Sequence, residues 1–342
     1  MAQKIELVSG SSFCGNPIVF EVTATELSGD ISFHVVYLEV TVAPSSGADI
    51  SEKSYVLTNT VGSDLKTSFD VSSVVRLALS RCSFSPIDSG SHSSPYAEYR
   101  VRAWDEYMKD GVLHEHVGEV IVAEKWYGLL GEFTLMERMG NSSLPVSRLT
   151  DKPASGEICG SSEVYVSPLP LSGNLTANQK PSEEPSSKAW ILSGHSGEYV
   201  EIDGRSIYVI NNPDLVQIQF VNRFGMLESV SAHRILSEDT EMSVTSFRAS
   251  SGIGFGDVPI NKAISRDKTV QLNCSTGYIS KEWADWWQNN LFSELRFKDC
   301  IRSNTQWIKM RGEWIPCAIL FNGSTYESDD LIYIDFIIQI VS

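Results

Sequence analysis

The chain comes nearest to a metal-ligand pattern at His114 and His116, separated by one residue in the run His-Glu-His. In an extended segment that spacing puts both imidazoles on one side, which supplies two ligands. A tetrahedral site needs more, and no Asp, Glu, His or Cys is placed by spacing to complete it, so the pair reads as a solvent-facing loop or strand end. His34, His92, His195 and His233 are not paired with a serine or cysteine in a recognisable nucleophile setting. Gly194-His195-Ser196-Gly197 lacks the strand–turn–helix elbow of a nucleophilic serine and reads as a hairpin turn. Glycoside hydrolysis needs two acids placed across a bond. Asp105 with Glu106 beside Trp104, and Glu282 with Asp285 beside Trp283 and Trp286, offer the right types. Adjacency in sequence does not place such acids across a bond, and solvated carboxylates next to core aromatics are the simpler reading. The glycines from Gly252 to Gly256 match neither a dinucleotide fingerprint nor a phosphate loop, since no Gly-Lys-Ser/Thr follows. They read as a turn whose Phe255 suits insertion against a neighbouring subunit. No catalytic residue, cofactor-binding residue or metal ligand is assigned, no cofactor is expected, and the expectation is a protein that is not an enzyme.

These side chains sit on a chain whose periodicity is mostly that of strands. Pro17–Thr23, Ile31–Val42 and Ser54–Thr60 are rich in β-branched and aromatic residues. In Tyr96–Trp104, Ala97, Tyr99, Val101 and Ala103 share one face while Glu98, Arg100 and Arg102 share the other, the mark of a half-buried strand. Gly118–Ala123 and Glu132–Met136 continue the pattern. Between Ser54–Thr60 and Tyr96–Trp104, Val71, Val74, Val75 and Ala78 recur at helical spacing after Asp70, which can cap the free amides.

The later part reads as a meander of short strands from Tyr199 to Phe247, with Asp203-Gly204 as a tight hairpin and Asn222-Arg223-Phe224-Gly225 as a compact turn. Ser280 then opens a helix in which Trp283, Trp286, Trp287, Leu291 and Leu295 form one apolar face. The three tryptophans can cover an adjacent sheet, reach an interface or stack on a ligand such as a sugar. In Leu331–Val341, Ile332, Ile334, Phe336, Ile338 and Ile340 form one alternating face of a core strand. The expected fold is mostly β, with antiparallel β-sandwich-like domains and a few short helices, including the tryptophan-rich one near 280–297. Residues 1–187 are read as an N-terminal mostly-β domain ending in a Ser/Pro-rich loop, and 188–342 as a C-terminal β-rich domain with one amphipathic helix.

A formal charge of -16 sets the average surface field against phosphate backbones. Lys262, Arg266 and Lys268 are the nearest thing to a basic cluster, too sparse for nucleic-acid binding to be expected. No secretory signal is expected at the N-terminus, and no stretch has the length of a membrane helix, so membrane insertion is not expected either. Six cysteines, at 14, 82, 159, 274, 300 and 317, never form a Cys-x-x-Cys pair and read as reduced, mostly buried residues.

Two segments carry a family likeness. Gly15-Asn16-Pro17-Ile18-Val19-Phe20-Glu21-Val22 resembles the opening strand of structural proteins from tailed phages and prophages of Bacteroidetes, which are usually tail or baseplate components. Gln219-Phe220-Val221-Asn222-Arg223-Phe224-Gly225-Met226-Leu227-Glu228 is similar to that family's aromatic-Asn-Arg-aromatic-Gly turn, where many members have tryptophan at the position of Phe224. A strand-rich later region ending in a strongly apolar strand also fits; Met226 and the long Ser/Pro-rich middle depart from the family. The resemblance implies no catalytic residues. It implies a virion or tail-like assembly component, made in the host cytoplasm, whose partners are other virion subunits and further copies of itself. The competing expectation is a surface or cell-associated binding module, with glycan among the ligands open to it, which would present Trp283, Trp286 or Trp287 on an exposed platform.

Overall fold

The computed structural model describes residues 4–10, 13–47, 49–131, 146–168, 170–175, 186–250, 259–292, 306–328 and 331–341. The strand expected at Glu132–Met136, the glycine-rich turn with Phe255, Cys300 and the 293–297 end of the tryptophan helix lie outside these residues.

The fold is mostly β. One antiparallel sheet joins β1 (Lys4–Gly10), β2 (Ile18–Thr23) and β5 (Lys66–Asp70) in the order β1-β2-β5. A second, larger sheet runs β4-β3-β7-β8 from β4 (Lys53–Thr60), β3 (Ile31–Pro44), β7 (Tyr96–Lys109) and β8 (Val112–Ile121), with β9 (Trp126–Leu129) also on β7. Helix α1 (Ser72–Leu79) lays Val74, Val75, Ala78 and Leu79 onto the core. Asp70 sits one residue before the N-cap position, Val71, and its Oδ1 accepts from the Ser72 amide at 2.9 Å and the Ile18 amide at 3.2 Å. The expected capping carboxylate therefore also ties the helix start to β2.

Three small sheets follow: β6 (Ser91–Ser93) with β12 (Val164–Pro168) and β14 (Ser186–Ile191); β10 (Val146–Arg148) with β13 (Pro170–Leu175); and β11 (Glu157–Gly160) with β15 (Tyr199–Ile202) and β16 (Arg205–Ile210). The β11–β16 pair is parallel, and the β15–β16 hairpin turns through Asp203 and Gly204 at φ of 51° and 73°, the backbone a tight two-residue turn demands. Residue 187, where the two expected domains meet, falls inside β14; Ser187 is fully buried and its hydroxyl donates to the His92 carbonyl at 3.2 Å.

The last two sheets face each other as in a sandwich. One runs β18-β17-β21-β22 through β17 (Val216–Val221), β18 (Leu227–Ala232), β21 (Gln306–Met310) and β22 (Glu313–Pro316). The other runs β19-β20-β24-β23 through β19 (Arg234–Ser250), β20 (Pro259–Ser280), β23 (Ala318–Ser328) and β24 (Leu331–Val341). Between them lies one apolar core in which Ile218, Phe220, Val230 and Ile308 meet Leu272, Ile334, Phe336 and Ile338. The expected inner face of the terminal strand is the one buried: Ile332, Ile334, Phe336, Ile338 and Ile340 alternate with more exposed residues because successive side chains leave a strand on opposite sides.

Strand β17 has cores on both sides. Val216, Ile218 and Phe220 point into the sandwich, whereas Val221, with Leu227 and Trp307, belongs to the core built by β2, β3, β7 and α1. The intervening glutamines bond to earlier backbone: Gln217 Nε2 donates to the Val164 carbonyl of β12 at 2.7 Å, and Gln219 exchanges bonds of 2.8 and 2.9 Å with Ile87. Satisfying these amides is what allows polar side chains to sit at 5% and 0% exposure.

Candidate functional site

The tryptophan helix α2 (Lys281–Trp287) begins where Ser280 Oγ accepts from the Trp283 amide at 3.4 Å, and it runs on as a π-helical turn over Gln288–Phe292. Its three indoles lie inside the protein at 5%, 3% and 2% exposure for Trp283, Trp286 and Trp287. Trp287 packs 5.3 Å from Phe336, Trp286 packs 5.6 Å from Phe220, and Trp283 Nε1 donates to the Ser155 carbonyl at 2.5 Å. None of the three therefore presents a face on which a sugar could stack, which corrects the ligand-stacking expectation for Trp283, Trp286 and Trp287. The physical reason is the helical spacing itself, which turns every indole toward the sheet. Glu282 and Asp285, on the other side of the helix, are exposed.

The His-Glu-His pair is split across two faces of the β7–β8 ladder. The expected common side for His114 and His116 fails because β8 bulges against β7 between His114 and Val117, where His116 takes a φ of 51°. His114 stacks on Tyr107 at 4.9 Å while His116 stacks on Trp104 at 4.9 Å, and Tyr37 stacks on Trp104 at 5.4 Å. Asp105 and Glu106 diverge in the same way. Asp105 is fully buried, accepts from the Thr25 amide at 2.7 Å and lies 3.4 Å from His34 Nε2. Glu106 bonds the Tyr37 phenol and raises its pKa. Two acids on opposite faces of one sheet cannot flank a scissile bond. In the Gly194–Gly197 turn, Ser196 Oγ accepts from the Asn211 amide at 3.1 Å and His195 is exposed. Among the described residues no three His, Cys, Asp or Glu side chains gather as a metal-holding group. The five described cysteines are free thiols; burial pushes Cys274 and Cys317 up to about 12.

The groups the fold does bring together are ones that the sequence scatters. The Lys152 ammonium is fully buried, pairs with Glu157 and donates to the Ser229 carbonyl at 2.5 Å. It lies 4.9 Å from the Tyr165 ring and 5.8 Å from Trp286, an arrangement in which aromatic faces help solvate a cation. Arg205 donates to the Pro153 and Lys152 carbonyls at 3.0 and 3.2 Å. Glu228 is fully buried, accepting from the Thr150 hydroxyl at 2.5 Å and from Asn222 Nδ2 at 3.0 Å. Loop 149–156, β11, β16, β12, β18 and α2 thus converge on two cations, Lys152 and Arg205, and two carboxylates, Glu157 and Glu228. Each of these four ions is at most 5% exposed. Its sequence signal is faint, because the four ions come from four separate segments.

The Asn222–Gly225 turn anchors the hub. Asn222 Oδ1 accepts from the Phe224 and Met226 amides at 3.0 Å each, and its Nδ2 also donates to the Leu149 carbonyl at 2.9 Å. Arg223 Nε donates to Asp151 at 2.7 Å, and Phe224 packs 5.8 Å from Phe13. Gly225 has φ of 75° and a Cβ there would lie 2.0 Å from the Leu130 carbonyl oxygen, so the position admits only glycine.

Burial raises the Glu228 carboxyl above its ordinary 4.5, against the opposing pull of Lys152 and Arg205 and of its bonds to Thr150 and Asn222. A carboxyl whose folded pKa exceeds its unfolded one adds stability that is complete below the unfolded value and lost as pH rises through the folded one. Glu228→Gln removes that titration. Relative to the parent, the variant should therefore gain stability as pH rises from about 4 to about 8. Urea midpoints across that range test it, and a constant difference between the two proteins would refute it.

Fold and hub define a mostly β, mainly antiparallel, sandwich-like protein in which buried Lys152 pairs with Glu157, and Arg205 and Glu228 are held by backbone carbonyls and neutral side chains. No family model matches the chain, and neither does any curated protein or any solved structure. No described helix is long and apolar enough to cross a membrane.

Proposed function

We propose that this protein is a non-enzymatic structural component of a virion or tail-like assembly that acts through contacts between subunits. The observation that carries this reading is the length of the β19–β20 hairpin. Strand β24 accompanies β20 from Ser280 only as far as Thr269, yet β19 and β20 stay paired from Met242↔Lys268 to Ser250↔Pro259. Among the described residues no third strand pairs with that stretch. A two-stranded ribbon is marginal in water by itself, so a long one built onto a packed sheet suits contact with something outside the chain. The likeness of Gly15–Val22 and Gln219–Glu228 to phage tail and baseplate proteins points the same way. The test is cryo-electron microscopy of particles from a fractionated lysate in which the chain is followed by mass spectrometry. An ordered, repeated subunit in a tail or baseplate is the expected result; a chain found only as free protein, absent from every particle fraction, would overturn the proposal.

A further inference from the structure

The same ribbon also indicates what it contacts. Met242–Ser250 and Pro259–Lys268 carry Arg248, Lys262, Arg266 and Lys268 against Asp267 alone, on a chain whose total charge is -16. The basic residues are distributed along the ladder: Met242 pairs with Lys268, Val244 with Arg266, Phe247 with Lys262 and Arg248 with Asn261. At about 3.3 Å per residue, the overhang of β19 beyond Glu241 spans about 30 Å, the diameter of a small domain. A net basic element on a strongly acidic protein has a complementary surface in every other copy of the same chain. We propose that this ribbon docks on the acidic body of a second copy, so that the chain associates with itself arm to body. The inference rests on the assembly reading for its biological setting but not for its chemistry. Docking would cover a ribbon with which, among the described residues, no third strand pairs. It would close either as a reciprocal two-fold pair or as a head-to-tail ring.

The experiment is sedimentation velocity on the full chain across concentration and salt, alongside two variants. One joins Glu241 to Thr269 through an Asn-Gly turn in place of 242–268; the other is Lys262→Glu with Arg266→Glu, which keeps the ribbon and reverses its charge. The parent should self-associate at micromolar concentration, and raising the salt from about 0.05 M to about 0.5 M should weaken association about tenfold or more, because the Debye length shrinks across that range. Both variants should remain monomeric with unchanged circular dichroism of the body. Carbodiimide coupling of mixed light and heavy isotope chains should join Lys262 or Lys268 to carboxylates of the other isotope.

A parent that stays monomeric up to about 100 µM, where a micromolar interface is saturated, overturns the proposal. So does a charge-reversed chain that associates like the parent. If the chain is found in particles with its ribbon on a different protein, arm-to-body docking falls while the assembly reading stands. If the chain self-associates through the ribbon but is absent from particles, the assembly reading falls and the docking stands.

Discussion

Replacing Lys152 by methionine should lower the free energy of unfolding by about 3–5 kcal/mol, because it leaves a buried carboxylate without its cation. Methionine nearly preserves the volume of the lysine stem, so lost packing contributes little. What changes is charge. Glu157, at 3% exposure, keeps one negative charge and loses the ammonium that compensates it, and the Ser229 carbonyl loses its donor. A double variant, Lys152→Met with Glu157→Gln, removes both charges and should recover more than half of the loss, as expected when the cost lies in an orphaned ion and not in a missing attraction. Urea denaturation at neutral pH measures both. A single variant within about 1 kcal/mol of the parent would show that water reaches the site and solvates Glu157, contrary to its burial.

Trp287→Ala should cost about 3–5 kcal/mol, the range for truncating a large buried aromatic side chain to alanine. Trp287 is 2% exposed and packs against Phe336 at 5.3 Å, Phe292 at 5.6 Å and Trp286 at 6.2 Å, so its removal opens a cavity where the helix meets β24. Tyr278→Ala is the control: Tyr278 is 57% exposed, and its removal should change stability by less than about 1 kcal/mol. Denaturant midpoints compare the two, and near-ultraviolet circular dichroism should lose signal at Trp287 first. Equal effects at the two positions would contradict the placement of the helix against the sheet.

How much of this was legible in the sequence depends on the range of the interaction. Local patterns read well: the alternation in Tyr96–Trp104 and Leu331–Val341, the helical spacing of Trp283, Trp286 and Trp287, the Ser280 cap and the Asp203-Gly204 turn all express backbone geometry within a few residues. Bulges read poorly, since no side chain announces them, and one bulge in β8 was enough to send His114 and His116 to opposite faces. Alternation also misleads where a strand has a core on each side. Val-Gln-Ile-Gln-Phe-Val resembles a half-exposed strand, yet Gln217 and Gln219 are buried because the Val164 and Ile87 backbones accept and supply their bonds. The ionic hub was the least visible feature. Glu157 and Glu228 stand far apart in sequence, and nothing near either one indicates a buried cation.

The double-sided burial of β17 bears on the order of events during synthesis. Val221, Leu227 and Trp307 belong to the core that β2, β3, β5, β7, β9, β12 and α1 also line, and β17 hydrogen-bonds to β21 with Ile218 opposite Ile308. At about 5–20 residues per second, a ribosome takes many seconds to travel from β9 to β21. Throughout that interval the nascent N-terminal region holds an apolar surface whose cover has not yet been made. Non-local strand pairing of this kind is slow even after release, so that apolar surface stays open to aggregation until Trp307 arrives.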